Sequence, residues 1–286
     1  MNFEDWHTHT AFCRHAVGDI EDYIKRAIEL DFNVIGIGDH FPYEIYKDEF
    51  PIIEQIPYQE YAMNLSEVDI YLSTLEKLKK KYEDDIIIRI GFEIDYFSNL
   101  ESSLNLHLNK YIDRLDYILG SVHIIKGNTG IFAFDDSRFL AKYQDYESID
   151  DIYLEYYGTI YKMINSDDFT LDILSHFDLP KKFNKRPLNK ESIFNDVAKI
   201  LEEVKKKDLS IEINTSGLRR EVKEQYPAKE IIEQIKMLEI PILLGSDAHH
   251  PEEVGYKFRP IIAMLREMGF TQLCHFEKRE RSFIEI

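Results

Sequence analysis

Nine residues with metal-binding side chains follow short apolar segments of this chain. Seven are histidines and two are carboxylates: His7, His9, His15, His40, Glu93, His123, His176, Asp247 and His249. Each lies where a β-strand would pass into a loop. Because imidazole and carboxylate groups are common ligands of divalent metals, we predict one metal site assembled from distant parts of the chain.

Two pairs within this set have the spacing of ligands to a shared ion. His7 and His9 are two residues apart, as are Asp247 and His249, and side chains at i and i+2 of an extended segment share a face. Alone, His7 and His9 are also compatible with two half-exposed histidines. The repetition after a second apolar strand favours metal binding. Glu93 ends an apolar strand, where a carboxylate is costly unless it meets a cation; a surface glutamate is the alternative.

The number of candidate ligands indicates more than one ion. A zinc ion takes about four ligands, so nine suffice for three ions if a carboxylate bridges. Imidazole with carboxylate suits Zn, Mn or Fe. Cys13 is the only thiol near these residues, and we interpret it as a packing residue or a neighbour of the ligands. Cys13 and Cys274 form no CxxC pair, which predicts free thiols and a reducing, cytoplasmic setting.

The elements that position these residues alternate between strand and helix. Strands are predicted for NVIGIGDH, IIIRIGFE, LDYILGSVH, FTLDILSH, LSIEIN and IPILLGSD. Helical spacing of apolar residues is found from Ile20 (capped by Asp19), from Ser66, over 99–112 and 149–164, from Ile193, from Ile231 and over Pro260–Met268. Such alternation favours a parallel sheet, because parallel neighbours need crossover helices. About seven units suit one barrel, whose functional residues gather at the carboxyl ends of the strands.

Two segments depart from this alternation. The stretch from Lys126 to Glu147 lacks clean periodicity and is predicted to form a long loop near the site. A short terminal strand is predicted near Ser282–Ile284.

Composition excludes several classes of protein. The chain has 286 residues, 44% of them hydrophobic, with 18 Phe and 18 Tyr, which is enough for a large core and argues against disorder. Its net charge of −18 would repel nucleic acid on average, so no nucleic-acid partner is expected. Phosphate chemistry would need a local cationic pocket. No signal peptide or membrane span is visible, so a soluble cytoplasmic protein without a membrane partner is expected.

The ordered motifs HTHTAFCRHA, GDH, GFEID, GSVH, SHFDL and GSDAH resemble the PHP (polymerase and histidinol phosphatase) superfamily over nearly the whole chain. More narrowly, SHFDLPKKFN, EINTSGLRR and GSDAHHPEEVG are similar to histidinol-phosphate phosphatases. The resemblance implies a distorted (β/α)7, TIM-like barrel and a single PHP phosphoesterase domain over residues 1–286. It also implies three divalent ions, and all nine ligand positions are present.

The resemblance also implies how the ligands divide. His7, His9, Glu93 and Asp247 would hold one ion; His15, His40 and His249 the second; and a bridging Glu93 with His123 and His176 the third. The implied activity is that of a metal-dependent phosphomonoesterase. It would convert L-histidinol phosphate to L-histidinol and phosphate in histidine biosynthesis.

Basic side chains near the predicted site are candidates for binding phosphate. Arg219 is the first because it closely follows the strand that ends at Asn214, and Lys181, Lys182 and Arg186 are second, with solvated loop cations as the alternative for them. Clustered ions would acidify a bound water to attack the phosphate. Asp247, His249 or a metal-bound water could protonate the leaving alkoxide, and the sequence does not choose among them.

Two other functions are compatible with the sequence. The first is a PHP-type phosphodiesterase or exonuclease, against which the −18 charge counts. The second is a non-catalytic metal-binding protein, which would need neither nine ligands nor a site at the strand ends. The expected partner is therefore a small phosphorylated substrate, bound by a monomer or a homodimer.

Overall fold

The structure, a computed structural model, describes residues 3–47, 55–127 and 130–286. In chain order its strands are β1 (Glu4–Asp5), β2 (Val34–Ile37), β3 (Ile87–Asp95), β4 (Tyr117–Ser121), β5 (Ile124–Gly127), β6 (Gly130–Ala133), β7 (Ile173–Leu174), β8 (Ser210–Asn214), β9 (Ile242–Gly245), β10 (Gln272–Glu277) and β11 (Glu280–Glu285). Seven of them form one sheet in the order β1-β2-β3-β4-β7-β8-β9. Every neighbouring pair in this sheet is parallel.

The two edges of this sheet approach each other, so that it forms a nearly closed barrel. The backbone N–H of Trp6 donates to the carbonyl oxygen of Leu244 at 3.0 Å, and that of His9 donates to Ala248 at 2.9 Å. Thr8 and Ala248 also pair as a parallel bridge. The first and last barrel segments of the chain are therefore neighbours. The prediction of a distorted, seven-stranded TIM-like barrel is confirmed.

Helices connect the barrel strands in chain order, and the last of them leads from β9 to β10. They are α1 (Ile20–Glu29), α2 (Val68–Lys81), α3 (Glu101–Leu108), α4 (Ile149–Asn165), α5 (Lys190–Lys206), α6 (Lys229–Met237) and α7 (Phe258–Glu267). In α1, Asp19 and Asp22 form the predicted N-terminal cap as a capping box, and Ile20, Tyr23 and Ile24 are buried. Within the described ranges, none of the helices is long and apolar enough to cross a membrane.

Large side chains fill the interior of the barrel. A buried cluster inside the sheet contains Trp6, Val34, Tyr117, Leu119, Ile173, Leu243, Cys274 and Phe276. Glycines on two strands make room for Tyr117: a Cβ at Gly91 would lie 2.5 Å from its ring, and one at Gly36 would lie 2.6 Å from its hydroxyl. The antiparallel hairpin β10–β11 covers the amino end of the barrel, where the rings of Phe276 and Trp6 pack edge to face. The candidate functional residues therefore lie at the opposite, carboxyl end of the barrel.

The structure corrects several local predictions. The segment predicted as a long loop from Lys126 to Glu147 contains most of the hairpin β5–β6 and a 3-10 helix at Ser137–Asp145; residues 128–129 lie outside the described residues. Its strands are too short to show a period. Ser66 does not open a helix. A 3-10 turn with Asn64 and Glu67 as its capping box precedes α2, because Asn64 supplies the accepting side chain. The predicted terminal strand is the second half of a hairpin.

Candidate metal centre and catalytic cavity

A cavity of about 1020 Å³ opens at the carboxyl end of the barrel strands. Seven of the nine predicted ligands line it: His15, His40, Glu93, His123, His176, Asp247 and His249. The remaining two, His7 and His9, are fully buried at its base. The structure therefore brings all nine residues together at the strand ends, as the alternation of strands and helices predicts.

The Glu93 carboxylate lies at the centre of this cluster and is 1% exposed. Its Oε1 is 2.7 Å from Nε2 of His176. Its Oε2 is 3.2 Å from Nε2 of His9, 3.3 Å from Nε2 of His7 and 3.3 Å from Nδ1 of His40. The two oxygens thus face different histidines, which is the arrangement that a bridging carboxylate requires.

The ligand atoms form three groups, two of which include Glu93. Within each group the atoms lie within 4.8 Å of one another. The groups are His7, His9 and Glu93; His15, His40 and His249; and Glu93, His123 and His176. Asp247 approaches the first group, with Oδ1 3.4 Å from Nε2 of His9. These groups match the division that the resemblance implies. Two further combinations meet the same distance: His9, Cys13 and His249, and His40, Asp95 and His123.

The spacing of the ring nitrogens in the cluster is compatible with bound cations. The Nε2 atoms of His7 and His9 lie 2.9 Å apart, a distance at which they could share one proton or bind the same ion. In addition, the buried Nδ1 atoms of His9, His40 and His176 have no hydrogen-bond partner among the described residues. Zn–N bonds of about 2.0–2.1 Å place ligand atoms of one ion roughly 3 Å apart. The donor set and its spacing therefore fit divalent metals.

The charge distribution supports the same interpretation. Burial raises the pKa of Glu93, but His40 and His7 outweigh it and hold this pKa well below its ordinary value. Burial raises the pKa of Asp247 as well, and His7 and His9 bring it well below the ordinary value. For His249, burial and the neighbouring His9 lower the pKa well below the ordinary value. The carboxylates are thus ionised, and His249 presents a neutral imidazole, which is the form that binds a metal. Burial lowers the pKa of His7 and His9, but the neighbouring carboxylates outweigh it and raise both well above the ordinary value, so positive charge is favoured at this position.

Several contacts around the cluster orient the imidazole rings. Nδ1 of His7 lies 2.7 Å from Oε1 of Glu212, and Nδ1 of His123 lies 3.0 Å from both oxygens of Asp95. A carboxylate on one ring nitrogen fixes the tautomer that leaves the other free for a metal. Sequence reasoning missed both carboxylates. Asp95 lies two residues after Glu93, and Glu212 lies two residues before Asn214, which contacts Asp247. This spacing of two was the available signal.

The predicted phosphate-binding side chains have different surroundings. Arg219 lines the cavity; its Nη2 donates to the carbonyl oxygens of Ser246 and Asp247 at 2.9 and 3.0 Å. Its Nε lies 3.1 Å from Oε1 of Glu253 as an ion pair, and the buried Nε and Nη1 atoms have no hydrogen-bond partner among the described residues. The side chain is thus held through Nη2, and two of its nitrogens make no hydrogen bond to those residues.

The other three predicted phosphate-binding residues differ in whether they line the cavity. Lys182 lines the cavity and pairs with Asp135 at 2.8 Å. Lys181 and Arg186 both bind Glu224 instead, at 3.0 and 2.6 Å, and neither belongs to the cavity lining. Sequence reasoning also missed the cavity residues Arg14, Arg138 and Arg220, which lack any strand-end position.

The fold and the site define the chain as a TIM-like barrel protein with a candidate multinuclear metal centre. Residues 5–216 match the model of the family described as PHP domain. The match covers well over half of the chain, and the chain belongs to this family. The family resemblance inferred from the sequence is therefore confirmed.

Individual relatives are similar along their whole length. The histidinol-phosphatase of Bacillus subtilis is 28% identical, over 92% of this chain and 99% of the relative. The crystal structure of hisK from Listeria monocytogenes has a TM-score of 0.81 and 30% identity, over 90% of this chain and 99% of that chain. A structure of histidinol phosphate phosphatase from Lactococcus lactis, complexed with zinc, L-histidinol and phosphate, has a TM-score of 0.75 and 19% identity, over 98% of each chain. The last comparison supports the fold alone.

Proposed function

We propose that the protein is a metal-dependent phosphomonoesterase that hydrolyses L-histidinol phosphate to L-histidinol and phosphate in histidine biosynthesis. The observation that carries this proposal is the cluster of nine ligand residues around Glu93, at the base of a cavity that also holds Arg219. Relatives of nearly the same length are named histidinol-phosphatase, which supports the choice of substrate.

The residues that would hold the metals follow from the three groups. His7, His9 and Asp247 would share one ion with Glu93; His123 and His176 would share another with Glu93; and His15, His40 and His249 would hold a third. Zinc, manganese and iron all suit this donor set. Bound ions of this kind supply Lewis acidity and lower the pKa of a coordinated water.

Arg219 and Lys182 would bind the phosphate group. A phosphate dianion favours a guanidinium because two of its N–H groups can donate in parallel. Glu253 and the two backbone carbonyl oxygens hold Arg219, and its buried Nε and Nη1 atoms have no hydrogen-bond partner among the described residues. A small shift of the side chain would let Nη1 donate to a bound phosphate. These side chains bring two cations to the cavity wall, where Arg219 pairs with Glu253 and Lys182 pairs with Asp135. Bound metal ions would supply the further positive charge that a phosphate needs.

Asp247 and His249 would move the proton that the leaving oxygen needs. Oδ2 of Asp247 accepts from Ser216 at 3.0 Å, and Nδ1 of His249 lies 3.0 Å from the backbone oxygen of Asp247. Both contacts fix the directions of these groups at the cavity wall. In this role they would act next to the metal ions that they also help to bind.

The experiment that tests this proposal compares two phosphate esters. Purified protein with added Mn²⁺ is assayed on L-histidinol phosphate and on bis(p-nitrophenyl) phosphate. Rapid release of phosphate from the first and little product from the second is expected. The reverse preference would establish the phosphodiesterase alternative, and no turnover of either would favour a non-catalytic metal-binding protein.

The proposal also covers the cellular compartment and the partners of the protein. Cys13 and Cys274 are both buried free thiols, which suits a reducing compartment, and we place the enzyme in the cytoplasm. Its partner is the small phosphorylated substrate, with no nucleic acid or membrane involved, and the active form is a monomer or a homodimer.

A further inference from the structure

One ion pair on the cavity wall includes a carboxylate that neither the candidate metal centre nor the proposed phosphate contacts use. It joins the carboxylate of Asp135 and the ammonium of Lys182, whose Oδ2 and Nζ lie 2.8 Å apart. Both side chains line the cavity and are less than one-fifth exposed.

The β5–β6 hairpin places Asp135 directly beside the metal ligands. The N–H of Phe134 donates to the carbonyl oxygen of His123 at 3.1 Å, so Asp135 follows immediately after a residue bonded to His123. The pKa of Asp135 reflects this position: burial raises it, but Lys182 and then His123 lower it below the ordinary value. The carboxylate is therefore ionised and lies next to where the phosphate would bind.

Asp135 also differs from the other carboxylates of the cavity that are not candidate ligands. Asp136 accepts from Tyr61 and from the backbone and side chain of Arg138, which uses both of its oxygens. Glu253 accepts from the N–H of His249 and pairs with Arg219.

Two acidic residues of the cavity lie farther out. Glu60 pairs with Arg138, and Glu221 is exposed at the rim. Oδ1 of Asp135, in contrast, accepts no hydrogen bond from the described residues and remains available on the wall.

We propose that Asp135 determines substrate specificity by binding the ammonium group of the substrate, while Lys182 faces the phosphate. This inference rests on the proposed function, because the ammonium of L-histidinol phosphate is on the carbon next to the one that carries the phosphate ester. The substrate thus presents adjacent positive and negative groups. The Asp135–Lys182 pair presents adjacent negative and positive groups to match them, which selects amino-substituted phosphate esters over other phosphomonoesters.

Asp135→Asn tests this with two substrates that differ in one group. They are L-histidinol phosphate and 3-(imidazol-4-yl)propyl phosphate, which lacks the ammonium. Loss of a charge-assisted hydrogen bond lowers kcat/KM for the first roughly 10- to 100-fold, mainly through KM. The value for the second changes less than about 3-fold, and metal content by elemental analysis stays at the wild-type level.

Asp136→Asn is the matched control, because its carboxylate is already bound by Tyr61 and Arg138. It should leave the ratio of the two kcat/KM values unchanged. An equal loss on both substrates in Asp135→Asn, or loss of metal, would show a structural role and overturn the proposal.

A different result is expected if the proposed function itself is wrong. In that case the wild-type protein does not hydrolyse L-histidinol phosphate at all. The same comparison is then made with 2-aminoethyl phosphate and ethyl phosphate, which also differ by one ammonium group. A wild-type preference for the amino ester that disappears in Asp135→Asn would still support Asp135. The absence of such a preference would exclude it.

Discussion

Nδ1 of His7 and Oε1 of Glu212 lie 2.7 Å apart in a part of the barrel where both side chains are fully buried. The other oxygen of Glu212 accepts the backbone N–H of His176 at 2.7 Å. The Glu212 carboxylate therefore orients the ring of His7, which follows β1, and holds the backbone of His176, which follows β7. We therefore expect the candidate metal centre to depend on Glu212, although this residue is not among its predicted ligands.

We predict that Glu212→Gln lowers metal affinity by about 10- to 100-fold, as loss of a carboxylate behind a metal-binding histidine usually does. A glutamine oxygen can accept from only one of the two N–H groups, and its NH₂ group would face the other. Titration against a competing chelator measures the effect. The control is Glu233→Gln on the exposed face of α6; equal affinities in the two variants would contradict the role of Glu212.

We predict that the fully loaded protein contains about three divalent ions per chain, because nine ligands exceed the needs of one or two. Elemental analysis measures the stoichiometry. Chelation should also lower Tm, since ions that bind only the folded state stabilise it. At most one ion at full loading, or an unchanged Tm after its removal, would contradict the assignment.

Glu93→Gln should reduce metal content and turnover more than the loss of a terminal ligand does. Glu93 meets His176 through one oxygen and His7, His9 and His40 through the other, and a neutral amide cannot offset the repulsion between two ions. His15→Gln is the matched comparison, because His15 belongs to one group only. If the two variants retain similar metal content, Glu93 is not a bridge.

Arg219→Ala should keep the metals but lower kcat/KM for L-histidinol phosphate by roughly 10²-fold, as loss of one charge-stabilising donor does. Arg219→Lys should recover part of this loss, since a point charge cannot reproduce a bidentate contact. Steady-state kinetics with elemental analysis provide the test. Arg186→Ala is the control, because Arg186 binds Glu224 outside the cavity lining. Intact turnover in Arg219→Ala would move phosphate recognition to Lys182.

Gly91→Ala should destabilise the fold by about 1–3 kcal/mol, the usual range for overpacking. The added Cβ would lie 2.5 Å from the ring of Tyr117, inside the barrel. Gly158→Ala in α4 is the opposite case: a Cβ there meets nothing within 4 Å, so the better helix propensity of alanine should stabilise by up to about 1 kcal/mol. Urea denaturation measures both. Equal effects would show that the barrel interior tolerates the methyl group.

The positions of the ligands could be predicted because they follow a rule of topology. Strands that alternate with helices pair in parallel, and their carboxyl ends then meet at one end of the barrel. His40, His123 and His176 each follow a separate strand, and Glu93 lies two residues before the end of another, so the sequence alone indicates that they meet. The helical spacing of the apolar residues in α1 and the cap at Asp19 could also be predicted from the sequence.

The surroundings of the ligands could not be predicted in the same way. Glu212 is part of the strand SIEIN, and only the barrel's closure tells which face it occupies. The unpartnered nitrogens of Arg219 and the binding of Lys181 by Glu224 depend on loop conformations. Asp135 was not identified because it lies in a segment predicted as a loop. The β5–β6 hairpin in that segment has strands too short to show a period.

The contact between the first and last barrel segments joins residues that are made far apart in time during synthesis. His7 and His9 are translated well before Asp247 and before Ala248, whose backbone holds His9. His15 and His40 likewise precede His249, whereas Glu93, His123 and His176 are all made much earlier. We therefore expect two of the three candidate ligand groups to form only after β9 has been made.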